Sequence, residues 1–150
     1  MRHIIKTAAL TLLPLVLAGH ARADANELKV ITLSCDGTLT YTHITDSKPY
    51  PGTAEQLQKV GVVVNLDERT VSFLGYVARI SDVDAANINF GGKQIGRVDE
   101  GVKIGIMGEM DRVTGQMDAM TTTETPTTLP GYNALQSHYE LSCKATNRVF

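Results

Sequence analysis

The chain has 150 residues, with 14 basic and 16 acidic side chains and a formal charge of −2. Three of the basic residues, Arg2, Lys6 and Arg22, lie within the first 23 residues, so the remainder carries 11 basic and 16 acidic side chains, a formal charge of −5. This mildly acidic balance, with no basic run, disfavours nucleic-acid binding, which depends on neutralising phosphates.

The N-terminal segment, residues 1–23, is predicted to be a signal peptide. Its basic start is followed by an apolar stretch at residues 8–18 and by Ala21-Arg22-Ala23, which has the small-residue pattern of a cleavage site. The apolar stretch is about half the ~20 residues that span a bilayer, so no membrane span is predicted. Cleavage after Ala23 leaves residues 24–150 as one domain, either periplasmic or secreted.

The first strand is predicted at residues 28–43, which are rich in Thr, Val and Ile. Asp36-Gly37 interrupts this pattern. We favour a bulge within one long strand, and the alternative is a tight hairpin with Asp-Gly at its tip. Residues 45–55 contain Pro49, Pro51 and Gly52 and are predicted to form a loop.

The middle of the chain predicts a series of short strands. Residues 59–67 and 70–80 alternate apolar with other residues and predict two strands joined by a turn at residues 67–69. Residues 81–85 predict a turn and residues 86–90 a short strand. Residues 91–92 predict a second turn, and residues 93–98 a weak strand.

The clearest structural signal is a hairpin over residues 102–123. One face of its first strand carries Val102, Ile104, Ile106, Gly108 and Met110, a period of two that is typical of a strand with one buried face. The turn is predicted at residues 111–115, where Asp111 can bond its own backbone and Gly115 can adopt a positive φ. Met117, Ala119 and Thr121 continue the inner face on the return strand.

The end of the chain predicts a polar loop at residues 123–134 and a last strand within residues 135–150. Cys35 and Cys143 are the two cysteines after the presequence, and export predicts that they form one disulfide; two buried thiols or metal ligands are the alternatives. Seven to eight strands with regular turns predict an all-β antiparallel meander. A disulfide between first and last strand predicts closure into a small barrel of lipocalin-like shape; a two-sheet β-sandwich is the alternative.

The sequence predicts no catalytic residue, no cofactor and no metal site. If Cys35 lies opposite Cys143, His138 lies opposite Thr40 and takes the other face from His43, so the two histidines diverge. The segment of residues 82–89 resembles a calcium loop only loosely, because Asn87 and Lys93 occupy the positions where an EF-hand has Gly and Glu.

Two groups of side chains near the hairpin turn could have a functional role. The carboxylates of Glu109, Asp111 and Asp118 flank the turn, and Glu109 and Asp118 could act as an acid–base pair, although charges beside a turn normally face water. Four methionines cluster in the hairpin and could form an adaptable or metal-binding thioether surface, with core filling as the alternative. They are Met107, Met110, Met117 and Met120.

Three segments, residues 33–38, 110–115 and 141–150, carry a resemblance to known proteins. They contain Leu-x-Cys-x-Gly-Thr, the Asp-Arg-Val-Thr-Gly hairpin turn, and Leu-x-Cys-Lys with a final Phe. With these motifs the chain resembles short, uncharacterised exported proteins of rhizobia-like alphaproteobacteria. The resemblance implies export and a pairing of the two cysteines, and it implies no activity.

The leading functional hypothesis is an exported, non-enzymatic binding or interaction module. Its partner would be a protein, an envelope component or a small apolar ligand held at the mouth of the barrel. The loops predicted at residues 45–55 and 123–134, with Tyr50, Tyr132 and Asn133, are the expected contact surface because they are long and polar. The alternatives are a hydrolase with carboxylates at the rim and a structural envelope protein.

Overall fold

A computed structural model describes residues 30–45, 48–95, 101–124 and 132–146, and these residues form eight antiparallel strands and no helix. In chain order the strands are β1 (Val30–Thr45), β2 (Lys48–Asn65), β3 (Thr70–Phe73), β4 (Tyr76–Val83), β5 (Asn87–Lys93), β6 (Lys103–Asp111), β7 (Gln116–Glu124) and β8 (Tyr132–Ala145). Each strand pairs with the next and β8 pairs with β1, which closes the barrel. The predicted fold is confirmed and the sandwich is excluded. The predicted signal peptide lies outside the described residues.

The interior of the barrel is built by side chains that alternate along each strand. On β6 and β7 the buried residues are those predicted for the inner face, including Ile106, Met110, Met117, Ala119 and Thr121. Because successive side chains of a strand point to opposite faces, the residues between them form the outer wall. The core therefore lies inside the closed sheet, and half of each strand is left for contact with solvent or a partner.

The predicted disulfide is confirmed. Cys35 and Cys143 are direct partners on β1 and β8 and are joined by an S–S bond across a sequence separation of 108. The same register places Thr40 opposite His138, as predicted. A formed disulfide is consistent with an oxidising, exported environment.

The irregularity predicted at Asp36-Gly37 exists, but its extra residue lies on the neighbouring strand. β1 is one continuous strand, so the hairpin alternative is wrong. Cys35 pairs with Val60 and Gly37 with Leu57, which leaves an additional residue on β2. Lys59 takes a φ of +54° there and donates its main-chain N–H to the Asp36 carboxylate at 2.8 Å. The Asp36 side chain thus supports a bulge in its partner strand.

The prediction of a single strand over residues 70–80 is wrong, because a tight turn divides it into β3 and β4. Phe73 pairs directly with Tyr76, so Leu74 and Gly75 form a two-residue hairpin loop with φ values of +47° and +84°. Positive φ at both central residues is the signature of a type I′ turn. Gly75 therefore turns the chain within the segment that was predicted to be one strand.

Other predicted loops are strands. Gly91-Gly92 continues β5 and pairs with β6, so no turn occurs there. Most of the loop predicted at residues 45–55 belongs to the paired arms of β1 and β2, in which Pro49 and Pro51 lie opposite Ile44 and Thr42. Proline is tolerated there because, among the described residues, this half of β2 pairs on one side only. Residues 123–124 and 132–134 of the other predicted loop also belong to strands, and residues 125–131 lie outside the described residues.

The two ends of the barrel differ. The end near the disulfide has short turns held by side-chain bonds: the carboxylate of Asp84 accepts the N–H groups of Ala86 and Asn87, both at 2.7 Å. The guanidinium of Arg112 donates to the carbonyl of Asp84 and so links two neighbouring turns. The other end carries the long β1–β2 arms and the longer connections. No helix in the described ranges has the length and apolar character to cross a membrane.

Candidate functional site

Side chains fill the described interior of the barrel, so the candidate site lies on the outer surface of the sheet and not at the mouth of the barrel. The ring of Phe73 packs against three others, with ring centroids 5.4 to 6.2 Å apart: Tyr76, Phe90 and Tyr139. Burial, reinforced by the neighbouring Tyr76 phenol, raises the pKa of Tyr139. Packed aromatic rings leave no space at this level for an apolar ligand inside the barrel.

A concavity of about 570 Å³ lies on the outer wall, and we call it the outer groove. Its lining residues come from five consecutive strands, β5 through β8 and then β1. They are Thr40, Thr42, Asn89, Met107, Gly108, Glu109, Asp118, Met120, Gln136 and His138. All except Gly108 belong to the outward-facing set, so the groove is built by the half of each strand that the core does not use.

Three cross-strand rows cross this part of the outer wall, and each of them contributes residues to the lining of the groove. The acidic row runs from Glu109 to its partner Asp118 and on to Glu140. The middle row runs from Met107 to Met120, His138 and Thr40. The third row is small and polar: Gly105, Thr122, Gln136 and Thr42.

Glycine deepens the wall along the third row. A smaller concavity of about 260 Å³ shares Met107 and Met120 with the outer groove, and Gly105 lines both this concavity and a further one of about 410 Å³. A Cβ added at Gly105 would meet nothing within 4 Å. The missing side chain at this position therefore leaves open space beside Met107 and Met120.

A polar side-chain contact in the groove joins β7 to β8. His138 Nε2 lies 2.8 Å from Asp118 Oδ2, and the side chains are 42% and 67% exposed. Placing the imidazole proton on Nε2 lets it donate to the carboxylate and leaves Nδ1 with a free lone pair in the neutral ring. Both groups remain in water, so their mutual attraction is modest.

The predicted pair of carboxylates is brought together, but on the wall and not at the rim. Glu109 and Asp118 are direct cross-strand partners and both line the outer groove. His138 was not predicted as their neighbour, because the β7–β8 register that brings it to Asp118 is not visible along the chain.

The four methionines divide into two cross-strand pairs. Met110 and Met117 are buried partners, as core filling requires. Met107 and Met120 are partners on the outer wall, and Met107 is 59% exposed. Core filling thus explains one pair, and the other is a thioether surface.

The predicted contact residues gather near the far end of β1. Tyr50 lies on β2 opposite His43 and is 52% exposed. Tyr132 and Asn133 are the first two residues of β8, and the backbone of Tyr132 pairs with that of Thr45. Their role in binding stays a prediction.

Within the described ranges, no group of three or more His, Cys, Asp or Glu side chains is arranged to hold a metal ion. In the segment predicted to resemble a calcium loop, Asp84 uses its carboxylate to close the β4–β5 turn. His43 and His138 take opposite faces, as predicted from the register.

Comparison with protein-family models, curated proteins and solved structures finds no significant match to this chain. The function is therefore inferred from the geometry of the outer groove and from the sequence features given above.

Proposed function

We propose that the chain is an exported, non-enzymatic binding module that contacts its partner through the outer groove. The observation that carries the proposal is a concavity of about 570 Å³ on a wall whose interior side is packed with side chains. Binding sites are concave and combine apolar surface with a few convergent polar groups. Thioethers, carboxylates and an imidazole meet this description.

Export to the periplasm or the medium is supported by the predicted signal peptide and by the disulfide. The resemblance to exported alphaproteobacterial proteins is part of the same proposal. The acidic row along the groove favours a protein or envelope component that offers basic and apolar groups, over a purely apolar small ligand. Tyr50, Tyr132 and Asn133 would extend the contact beyond the groove.

The test is native mass spectrometry of the protein isolated from its own cells, compared with Gly105→Trp. A Cβ at Gly105 meets no neighbouring atom within 4 Å, and the open space beside it can take the added ring, so we expect this variant to fold. We expect a bound species on the wild type and on the matched control Gly105→Ala, and its loss from Gly105→Trp. A species that remains on Gly105→Trp, or a wild type that carries none, contradicts the proposal.

A hydrolase is the second candidate, favoured by one observation: Glu109, Asp118 and His138 share the outer groove. Its weakness is that Asp118 and His138 are open to water, where electrostatic stabilisation of a transition state is small. The test is hydrolysis of chromogenic esters and glycosides by the wild type, Glu109→Gln and Asp118→Asn. If the wild type hydrolyses a substrate and both substitutions abolish this activity, the hydrolase function replaces the binding proposal. Equal rates in all three proteins would eliminate the hydrolase function.

A structural envelope role would require a continuous apolar exterior. The exposed large apolar side chains of the described residues are instead dispersed: Val30 and Val113 near the disulfide end, Tyr50 and Leu74 toward the other end, and Met107 in the groove. This distribution gives the structural alternative no support.

A further inference from the structure

Met107, Met120 and His138 form one continuous row across three strands of the outer wall. Met107 is the direct partner of Met120, and Met120 is the direct partner of His138. All three line the same concavity. Direct cross-strand neighbours have Cβ atoms about 4.5–5.5 Å apart, a distance that flexible methionine side chains readily bridge.

The donor atoms of this row share a chemical preference. Thioether sulfur is a soft ligand that selects Cu(I), and imidazole also binds copper. Cys35 and Cys143 are consumed by the disulfide, so no thiolate competes for a soft cation. The row contains no carboxylate, which distinguishes it from sites for calcium or magnesium.

The hydrogen bond from His138 to Asp118 adds a second, independent feature. A metal-binding histidine usually donates its other ring N–H to a carboxylate, which sets the tautomer and orients the ring. With Nε2 occupied by Asp118 at 2.8 Å, Nδ1 is the ring nitrogen that remains to bind a metal. Asp118 is therefore a positioning residue in this arrangement.

We propose that Met107, Met120 and His138 bind one Cu(I) ion in the outer groove through two sulfur atoms and Nδ1. This site goes beyond the proposed binding role and rests on it only in using the same groove. Binding requires no redox step, because the ion enters and leaves as Cu(I).

The first measurement is a calorimetric titration of the purified, disulfide-intact protein with Ag(I), a soft monovalent ion that needs no reductant. Competition for Cu(I) against a chromophoric chelator, with ascorbate in place of thiol reductants, then gives the copper affinity. We expect one equivalent of either ion to bind, and no comparable binding of Zn(II) or Ca(II).

The structure offers a closely matched control for the methionines. Met107→Leu/Met120→Leu removes the outer sulfur pair, and Met110→Leu/Met117→Leu removes the inner pair, which has the same cross-strand relationship. Met-to-Leu replacement conserves volume and is well tolerated. We expect the outer double variant to lose one-to-one binding and the inner double variant to retain it.

The histidine and its partner are tested by spectroscopy. ¹⁵N NMR of the imidazole should show that Ag(I) shifts Nδ1 of His138 more than Nε2. Asp118→Asn should weaken metal affinity about 10–100-fold without changing the stoichiometry, as expected when a supporting carboxylate is removed. His138→Gln should weaken binding further.

Equal Ag(I) or Cu(I) binding by the wild type and Met107→Leu/Met120→Leu would overturn the site. This failure is distinct from failure of the binding role. If the metal ions do not bind but the wild type carries a species that Gly105→Trp loses, the groove is a binding site without a metal. If Ag(I) binds but no other species is found on the wild type, the metal site is supported and the proposed binding role is not.

Discussion

The main-chain N–H of Cys143 donates a hydrogen bond to the carbonyl oxygen of Gly115 at 2.8 Å. This bond attaches the turn between β6 and β7 to the strand that carries the disulfide. Gly115 also donates its own N–H to the Asp111 carbonyl at 2.9 Å, so one residue closes the turn and joins it to β8.

Gly115→Ala should destabilise the protein. Gly115 has a φ of +74°, and an added Cβ would collide with the carbonyl oxygen of Cys143. A left-handed conformation for a non-glycine residue costs about 1–3 kcal/mol, and the collision adds to it. Urea denaturation should show this loss in the free energy of unfolding. The control is Gly105→Ala, which has open space and no positive φ, and equal stability of the two variants would contradict the argument.

Removing the disulfide with Cys35→Ala/Cys143→Ala should lower the free energy of unfolding by about 2–5 kcal/mol, because the bond closes a long loop in the unfolded chain. The sequence separation of 108 places it among the longer loops. The measurement is the free energy of unfolding from urea denaturation under oxidising conditions. Wild-type protein whose disulfide has been reduced in the unfolded state serves as a second reference for the variant. An unchanged midpoint would show that the link contributes no stability.

The Asp111 carboxylate should make stability depend on acid pH. Hydrogen bonds from the main-chain N–H groups of Thr114 and Val113 hold the pKa of Asp111 below its ordinary value. A lowered folded-state pKa contributes stability above the unfolded-state pKa of about 3.9, and this contribution is lost as the pH falls through the folded-state pKa.

Asp111→Asn tests this linkage. It retains an acceptor oxygen and removes the charge, so it should be less stable than the wild type at neutral pH, and the difference should shrink as the pH falls below about 4. Urea denaturation at several pH values measures this difference. A difference that stays constant down to acid pH would assign the effect to shape and not to charge.

The contact between Gly108 and Phe90 should limit substitution in the core. A Cβ at Gly108 would overlap the Phe90 ring and approach the carbonyl oxygen of Asp118. Gly108→Ala should therefore cost about 1–3 kcal/mol, the usual range for overpacking. Phe90→Leu in the same chain should recover part of that loss, measured as a coupling energy in a double-mutant cycle. Strictly additive effects would refute the steric explanation.

Much of the fold was accessible from the sequence because its signals are local or covalent. The period of two over residues 102–123 gave β6, β7 and their inner face, and the two cysteines indicated that the ends of the chain are neighbours. The Leu74-Gly75 turn was missed because apolar residues continue through it without a conventional turn pair. The strands at residues 48–55 were missed because proline signals a loop, whereas an edge position tolerates it.

The candidate site was only partly accessible. The two-residue period places Met107 and Met110 on opposite faces of β6. Their partners depend on the length of the turn: the turn at residues 112–115 pairs Met107 with Met120 and Met110 with Met117, whereas the predicted turn at residues 111–115 is one residue longer. The place of His138 depends on the pairing of β7 with β8, whose connection is long and carries no register information. Long-range register of this kind comes from packing and not from local sequence.

The sulfur bridge between β1 and β8 also has a topological consequence. It converts the polypeptide between Cys35 and Cys143 into a covalent circle. A protease that nicks any one connection within that circle opens it without releasing a fragment, since both pieces stay tethered through the bridge. Two cuts are needed before a segment of this circle can diffuse away.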